Sequence, residues 1–352
     1  MSGKRIRHVA IGSAAALAFG LGAGLAQAAE SVLFIGNSFT YGAGSPAWKY
    51  RVNSITDLNN PAGAEAGAGP VGAGRVGAAA PATAVAGADA AAPGGPCASA
   101  GPGGPGGPGR PVGGGNTGPT GGVPALFKMF TQEAGLDYDV SAETVGGMGL
   151  EYHYAQKRAL IDKSWDHVVM QSQSVLDATK PGDPTLLISG ARDLAEMLGA
   201  KNPRVNVLLT STWSRADQVY CPTGHWAGQP IEQMALDLRR GYDAAAVSSP
   251  YIRGVLPVGE AWNRAFAVGL ADPNPFDGVS FNQISLWTND YYHASAAGYY
   301  LEALMVFGKI TGRDPASLGP QEIAARELGL SRTQATALQE VARDELAASS
   351  RP

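Results

Sequence analysis

Two motifs far apart in the chain contain the side chains that nucleophilic catalysis at an acyl carbon requires. Ser38 lies in a Gly-Asn-Ser motif near the amino end, and Asp290 and His293 lie in an Asp-x-x-His motif near the carboxyl end. An aspartate that accepts a hydrogen bond from an imidazole fixes its tautomer, so that the ring can take the serine proton and return it to a leaving alcohol. The pattern predicts Ser38 as nucleophile, His293 as base and Asp290 as the residue that orients the base.

Both motifs also have a structural interpretation. Ser38 can cap a helix, and Asp290 can cap the last apolar helix while His293 lies on the surface. The position of the motifs favours catalysis, because Ser38 directly follows an apolar segment, 31–36, that reads as the first strand. Ligands of parallel α/β sheets bind beyond the carboxyl ends of the strands, where Ser38 would stand. Asp217, in an earlier loop, is an alternative third member of the triad.

These two motifs resemble the first and last sequence blocks of the SGNH, or GDSL-type, serine hydrolases. The resemblance spans roughly residues 31–312, with one foreign segment inside it. It implies a three-layer α/β/α, flavodoxin-like sandwich. It also implies hydrolysis of carboxylic esters, such as lipids, thioesters or acetylated sugars, through an acyl-enzyme formed on Ser38, with His293 as base and Asp290 as orienting acid. Asn37 stands where many members have Asp, and we interpret this change as tolerated because the position is outside the triad.

The middle blocks of the chain depart from the family pattern. The family places a glycine after its second strand, where its N–H helps to bind an oxyanion, and here Gly147 is the first choice and Gly149 the second. A tight turn that needs a left-handed residue would explain either glycine equally well. The family often has Gly-x-Asn-Asp after the third strand, but this chain has Gln-Ser-Gln-Ser. We therefore expect an oxyanion hole made by the N–H groups of Ser38 and Gly147 and the amide of Gln171, with Gln173 as the alternative.

The order of the predicted elements indicates one α/β domain at 29–318, followed by a helical tail at 319–352. Apolar segments typical of buried strands alternate with segments of helical periodicity, which predicts a parallel sheet of about five strands with helices on both faces. The tail has the outline of a helix-turn-helix, but we expect it to pack against the domain. Strands are predicted at 31–36, 138–144, 167–171, 205–210 and 255–258, and helices at 48–58, 123–134, 150–161, 186–198, 231–246, 295–310, 321–328 and 333–346.

The segment 61–122 differs in composition from the rest of the chain. It consists mostly of Gly, Ala, Pro and small polar residues, and large apolar side chains are nearly absent. Such a sequence buries too little surface to offset its backbone entropy, so we predict a disordered insertion in the domain. Cys97 lies inside it, and we therefore expect no disulfide between Cys97 and Cys221, although an oxidising compartment would permit one.

The first 28 residues have the pattern of a signal peptide. A basic start is followed by a short apolar run at 10–25 and by Ala-Gln-Ala at 26–28, which is typical of a cleavage site. An uncleaved membrane anchor is the alternative, although the apolar run is short for a bilayer span. We expect a mature chain from Ala29 that is periplasmic or secreted and has no membrane span.

Composition excludes several other classes of function. The net charge of −4 provides no basic field for nucleic acid, and two cysteines without a His-Glu-x-x-His motif indicate no metal site. No cofactor motif is present, so the expected partner is a small-molecule or carbohydrate ester.

Trp213 and Trp226, in predicted loops, are candidates to stack on a sugar ring, and His153 is a candidate to reach the same crevice. The alternative to an enzyme is a non-catalytic surface protein that binds polysaccharide.

Overall fold

Six strands form one parallel sheet at the centre of the protein. The computed structural model describes residues 1, 3, 29–61, 97 and 118–349. Apart from residues 1, 3, 61, 97 and 118–122, the predicted signal peptide and insertion lie outside the described residues. The strands are β1 (Glu30–Gly36), β2 (Thr56–Asp57), β3 (Tyr138–Thr144), β4 (His167–Met170), β5 (Asn206–Ser211) and β6 (Ile252–Pro257).

The spatial order of the strands is β2-β3-β1-β4-β5-β6. From β1 the chain moves to β3 on one side, and it then crosses to β4 on the other side. Strands β1 and β4 are direct neighbours, with Val32 beside His167 and Ile35 beside Met170. The order therefore reverses next to β1, and ligands of doubly wound sheets bind beyond the strand ends at this switch point. Without the two-residue edge strand β2, the order is the one expected for a flavodoxin-like sandwich, so the predicted fold class is confirmed.

Helices cover both faces of the sheet. One layer contains α3, α5 and α7, and the other contains α2, α9 and α11, with α8 next to α7, α9 and α11. The strands are apolar along most of their length, because both of their faces are buried. The helices are α1 (Ser38–Tyr41), α2 (Gly122–Glu133), α3 (Leu150–Gln156), α4 (Arg158–Ile161), α5 (Thr185–Lys201), α6 (Ala216–Tyr220), α7 (Ile231–Ala246), α8 (Val258–Ala267), α9 (Ala296–Thr311), α10 (Ile323–Glu327) and α11 (Arg332–Ser349).

One predicted helix, at 48–58, is wrong. The segment contains 3₁₀ turns at Pro46–Lys49 and Val52–Ser54 and then the edge strand β2. Arg51 between the two turns has φ +38°, a left-handed conformation that stops helix propagation. Several β-branched and Asn residues in this segment have low helix propensity, and the pairing of β2 with β3 outweighs the weak periodicity. Helix α8 was not predicted, and the predicted helix 150–161 is divided into α3 and α4.

The C-terminal helices pack against the domain, as expected from the sequence. Helix α11 lies against α8 and α9, and buried Gln339 donates a hydrogen bond of 2.9 Å to the Tyr300 hydroxyl of α9. Arg264 of α8 donates a 2.8 Å hydrogen bond to Glu345 of α11. None of the helices in the described part of the chain is long and apolar enough to span a lipid bilayer.

The expectation of unpaired cysteines is wrong. Cys97 and Cys221 form a disulfide, and their Cα atoms are 5.4 Å apart. Cys221 is fully buried directly after α6, while Cys97 lies in a region whose composition shows no sign of a packed element. Composition cannot show where a chain passes, so the pairing was not visible in the sequence. The bond links residues 124 positions apart, and it ties the region of Cys97 to the loop after β5.

Candidate active site

Asn37 joins three loops at the carboxyl end of the sheet. It caps α1, because its side-chain oxygen accepts a 3.1 Å hydrogen bond from the Phe39 N–H. Its amide nitrogen donates to the Met148 carbonyl at 2.9 Å and to the Ser172 carbonyl at 3.1 Å. These contacts connect the loop after β1 with the loops after β3 and β4. Ser38, the first residue of α1, is consequently fixed at the switch point of the sheet and is 7% exposed.

Asp290 and His293 form a hydrogen-bonded pair in the loop before α9. The Asp290 carboxylate lies 2.6 Å from Nδ1 of the imidazole, and its other oxygen accepts from the His293 N–H at 2.8 Å. The same oxygen accepts from the Tyr292 N–H at 2.9 Å and from the Thr288 hydroxyl at 2.7 Å. One carboxylate thus orients both the imidazole and the backbone that carries it.

The charge state of Asp290 agrees with this arrangement. Burial raises its pKa, but the hydrogen bonds from His293 and Thr288 and the charge of the imidazolium outweigh burial. Together they hold the pKa of the Asp290 carboxyl well below its usual range. An ionised Asp290 keeps the proton of the neutral imidazole on Nδ1 and leaves Nε2 as an acceptor.

The loop of His293 lies next to the loop of Ser38. The rings of His293 and Phe39 have centroids 5.6 Å apart, and a methyl group added to Gly44 would contact the His293 Cβ at 3.8 Å. Tyr299 of α9 donates a 3.1 Å hydrogen bond to the Ser38 carbonyl. The Nε2 atom of His293 is buried and has no hydrogen-bond partner among the described residues, so no bond joins it to the Ser38 hydroxyl.

Two backbone N–H groups near Ser38 are unoccupied. Within the described residues, neither the Ser38 N–H nor the Gly147 N–H donates a hydrogen bond. Gly147 has φ +75°, so it occupies a left-handed conformation that a residue with a side chain rarely adopts. Gly149 instead has φ −94° and begins α3. The turn explains why residue 147 is a glycine, and the free N–H is compatible with anion binding.

The amide of Gln171 is hydrogen-bonded inside the protein through both its oxygen and its nitrogen. Its oxygen accepts hydrogen bonds of 3.2 Å from the Asn37 N–H and from the Thr40 hydroxyl, and its nitrogen donates to the Ser172 carbonyl. Only 1% of Gln171 is exposed. Its position at the end of β4, which suggested an oxyanion contact, places the amide in the junction between β1 and β4.

Gln173 lies closer to the predicted glycine. It is half-buried, and its amide nitrogen donates a 2.7 Å hydrogen bond to the Gly147 carbonyl. One of its two N–H groups is therefore used to bind the loop after β3, and the other is not hydrogen-bonded among the described residues.

Asp217 pairs with an arginine rather than with the histidine. Arg215 donates to both carboxylate oxygens of Asp217, with distances of 2.9 Å and 2.5 Å. The guanidinium carbon lies 3.8 Å from the ring centroid of Tyr292, next to His293. Sequence reasoning missed Arg215, because its link to His293 runs through a contact between two distant loops. The Arg-x-Asp spacing after β5 was the only local signal.

The two tryptophans proposed for sugar stacking are buried. Trp213 is 0% exposed, with its ring stacked between Phe39 at 4.4 Å and Trp262 at 4.7 Å. Trp226 is 4% exposed and donates a 2.8 Å hydrogen bond to Asp237. Neither ring offers a free face to a sugar, so this expectation is wrong. Packing of the loop after β5 accounts for both residues.

His153 belongs to a separate buried pair. Its Nδ1 atom contacts a carboxylate oxygen of Glu143, and both side chains are completely enclosed. The other Glu143 oxygen accepts a 3.1 Å hydrogen bond from Asn59. The pair links β3 to α3 and has no hydrogen bond to Ser38 or His293. No group of three or more potential metal ligands occurs in the described part of the chain.

Comparison with known proteins supports the fold. Neither a protein-family model nor a curated protein matches the chain. Among solved structures, a DUF4886 family protein from Bacteroides uniformis matches with a TM-score of 0.51 and 14% identity, covering 92% of this chain and 96% of that one. A phospholipase A1 from Streptomyces albidoflavus has a TM-score of 0.36 and 14% identity, covering 79% of this chain and 98% of that one. At this identity, the first likeness bears on the fold alone.

Proposed function

We propose that this protein is an SGNH-type serine hydrolase that cleaves carboxylic esters. The observation that carries the proposal is the Asp290–His293 pair, whose buried Nε2 atom has no hydrogen-bond partner among the described residues. It occurs beside the loop of Ser38, at the switch point where ligands of such sheets bind. A buried imidazole nitrogen without a partner is costly, and a serine or substrate hydroxyl would satisfy it.

The proposed reaction uses these groups in two steps. Ser38 Oγ attacks the acyl carbon while its proton passes to His293 Nε2, and the resulting imidazolium is stabilised by ionised Asp290. The tetrahedral intermediate collapses, and Nε2 gives the proton to the leaving alcohol. Water then attacks the acyl-enzyme with His293 as base, which releases the acid and restores Ser38.

The oxyanion of each intermediate is proposed to bind the free N–H groups of Ser38 and Gly147. We assign the third donor to Gln173, because Gln171 is 1% exposed and holds the junction between β1 and β4, whereas Gln173 is half-buried and binds the Gly147 carbonyl. The loss of one such donor lowers kcat by about 10²–10³ in other hydrolases. The substrate class is a carboxylic ester, and O-acetylated carbohydrates are included in this proposal.

We also propose that the protein is exported. The N-terminal pattern of basic, apolar and small residues supports cleavage after Ala28. The disulfide between Cys97 and Cys221 agrees with this, because such bonds persist in oxidising compartments. The mass of the mature protein, isolated from the producing cells, tests the assignment: a mass that starts at Met1 would contradict it.

Hydrolysis of p-nitrophenyl acetate tests the enzymatic proposal directly. The wild-type protein is compared with Ser38→Ala and His293→Ala, and with Ser45→Ala as a matched serine in the same loop region. We expect the first two variants to hydrolyse the ester at the uncatalysed rate and the third to retain activity. A fluorophosphonate probe should label Ser38 alone. Hydrolysis or labelling that persists in Ser38→Ala would refute the proposed nucleophile and favour a non-catalytic binding protein.

A further inference from the structure

We infer that Arg215 is a positioning residue that keeps His293 in its catalytic orientation by clamping the neighbouring Tyr292. The inference rests on the proposed function, since it assigns a role within the same site. Arg215 is a member of the loop after β5, whereas His293 belongs to the loop before α9.

Arg215 is fixed in place by hydrogen bonds to two side chains on two loops. Its Nε and Nη2 atoms donate to the Asp217 carboxylate, and Nη1 donates to the Ser174 hydroxyl at 3.3 Å. A guanidinium bound at both ends of a carboxylate has little rotational freedom. The central carbon of the guanidinium then lies 3.8 Å from the centroid of the Tyr292 ring. The Tyr292 ring also contacts the ring of Phe39 in an edge-to-face arrangement, with the centroids 5.2 Å apart.

Hydrogen bonds to backbone carbonyls connect the same two loops. The Trp213 indole donates to the Tyr292 carbonyl at 3.2 Å, and the Asp217 N–H donates to the Tyr291 carbonyl at 3.3 Å. In the opposite direction, the Trp287 indole donates to the Ser214 carbonyl at 3.0 Å. The loop that carries His293 is therefore held along its length by the loop that carries Arg215.

The loop of His293 contains a conformation that needs such support. Tyr291 has φ +58°, in the left-handed region that residues with a Cβ avoid. Such conformations persist only where the surrounding contacts determine them. If Tyr292 lost its packing against Arg215, Tyr291 could relax towards an extended conformation, and the adjacent His293 would rotate away from Ser38.

Arg215 is poorly suited to the alternative role of binding an anionic substrate. Asp217 neutralises its charge, and Asp290 lies near enough to raise the pKa of Arg215 further. Burial opposes this rise, but Tyr292 and Asp217 act against burial, so the guanidinium stays charged. Because two carboxylates surround one guanidinium, the local charge is negative and would repel an anionic substrate. A structural role for Arg215 is therefore favoured.

Steady-state kinetics with p-nitrophenyl acetate tests the inference. Arg215→Met and Tyr292→Leu should each lower kcat by about 10–100-fold with KM changed less than about twofold, since a small misplacement of a catalytic group has effects of this size. The double variant should be no slower than the slower single variant, because the two residues act through each other. Tyr292→Phe retains the ring and should keep nearly full activity. Arg239→Met is the matched control, because Arg239 binds Asp243 and Glu260 away from the site.

Hydrogen–deuterium exchange in 287–293 provides a readout that does not depend on activity. Uptake should rise in Arg215→Met and remain at the wild-type level in Arg239→Met. Three results would each overturn the inference while leaving Ser38-dependent hydrolysis intact. They are an equal kcat in wild type and Arg215→Met, additive effects on kcat in the double variant, and unchanged deuterium uptake in Arg215→Met. Absence of Ser38-dependent hydrolysis in the wild type would instead refute the proposed function, and the uptake comparison would still decide whether Arg215 fixes this loop.

Discussion

Replacement of Asp290 by Asn tests the proposed triad most sharply, because it changes one atom and leaves the shape of the site intact. One oxygen of Asp290 accepts from Thr288, Tyr292 and His293, and an Asn oxygen in that position can retain all three bonds. The Asn nitrogen then faces Nδ1 of the imidazole, where the second carboxylate oxygen was. Since this nitrogen is a donor, it selects the tautomer with its proton on Nε2.

An imidazole with a proton on Nε2 cannot accept the proton of Ser38. We therefore expect kcat for p-nitrophenyl acetate to fall by roughly 10⁴, the loss caused by the same tautomer change in another serine hydrolase. This loss corresponds to about 5.4 kcal/mol in activation free energy. The free energy of unfolding should fall much less, by about 1–3 kcal/mol, because one charge-assisted hydrogen bond becomes a neutral one.

The pH dependence of stability provides a second measurement on Asp290→Asn. The pKa of Asp290 is depressed in the folded state, so its contribution to stability is present above the ordinary value of 3.8 and is lost as the pH falls below it. The difference in urea unfolding between wild type and variant should accordingly shrink below about pH 4. Thr288→Val, which removes one donor to the same carboxylate, serves as the control and should retain most activity. If Asp290→Asn stayed within tenfold of wild type while Ser38→Ala was inactive, Asp290 would not be the orienting acid.

Three further predictions concern stability and the oxyanion loop. Cys221→Ser removes a disulfide between residues 124 positions apart, so the free energy of urea unfolding should fall by up to about 5 kcal/mol. Cys97→Ser and reduction of the wild-type protein should have the same effect. An unchanged unfolding midpoint would show that the bond does not form. Burial raises the pKa of Glu322 to about 7, so its contribution to the free energy of unfolding should fall as the pH rises from about 4.5 to 7. Glu322→Gln should reduce this slope, whereas an identical slope would assign it to other buried carboxyls such as Glu302, whose pKa burial also raises. Gly147→Ala keeps the backbone N–H but places a Cβ at φ +75°, with no atom within 4 Å of it, and should cost about 1–2 kcal/mol in stability. Relief of this strain rotates the peptide and turns the N–H away from the proposed oxyanion, so kcat should fall by up to about 10². Gly135→Ala, at φ +69° outside the site, should show the same stability loss with unchanged kcat, and an unchanged kcat in Gly147→Ala as well would contradict the expected coupling of this turn to catalysis.

Periodicity in the sequence was sufficient for the fold because both faces of the sheet are buried. The segments that became β1, β4 and β5 contain short apolar runs, and the helix predicted at 231–246 has the bounds of α7. The prediction failed at 48–58, where pairing with β3 decides the structure of a segment with little periodicity of its own. Local patterns describe an element that packs along one face, but they do not describe an edge strand of two residues.

Residues of the site could be predicted only where their role depends on local sequence. Asp290 and His293 are three residues apart, so their hydrogen bond is a property of one loop and was visible as a motif. Arg215 acts across two loops, and its contact with Tyr292 depends on the positions of β5 and α9 in the fold. Long-range contacts of this kind leave no signal in spacing, and the same holds for the disulfide of Cys97.

The structure explains why residue 37 is Asn rather than the Asp that is common in the SGNH pattern the sequence resembles. Sequence reasoning interpreted Asn37 as a tolerated replacement of Asp, because the position is outside the triad. The Asn37 nitrogen, however, donates to the carbonyls of Met148 and Ser172, and its oxygen still caps the helix of Ser38. An ionised Asp would place a second oxygen against these two carbonyl oxygens, and both carbonyls would lose the hydrogen bond that Asn37 donates. With the present loops after β3 and β4, the amide therefore joins them to the proposed nucleophile better than a carboxylate would, which links the change in the first block to the changes in the middle blocks.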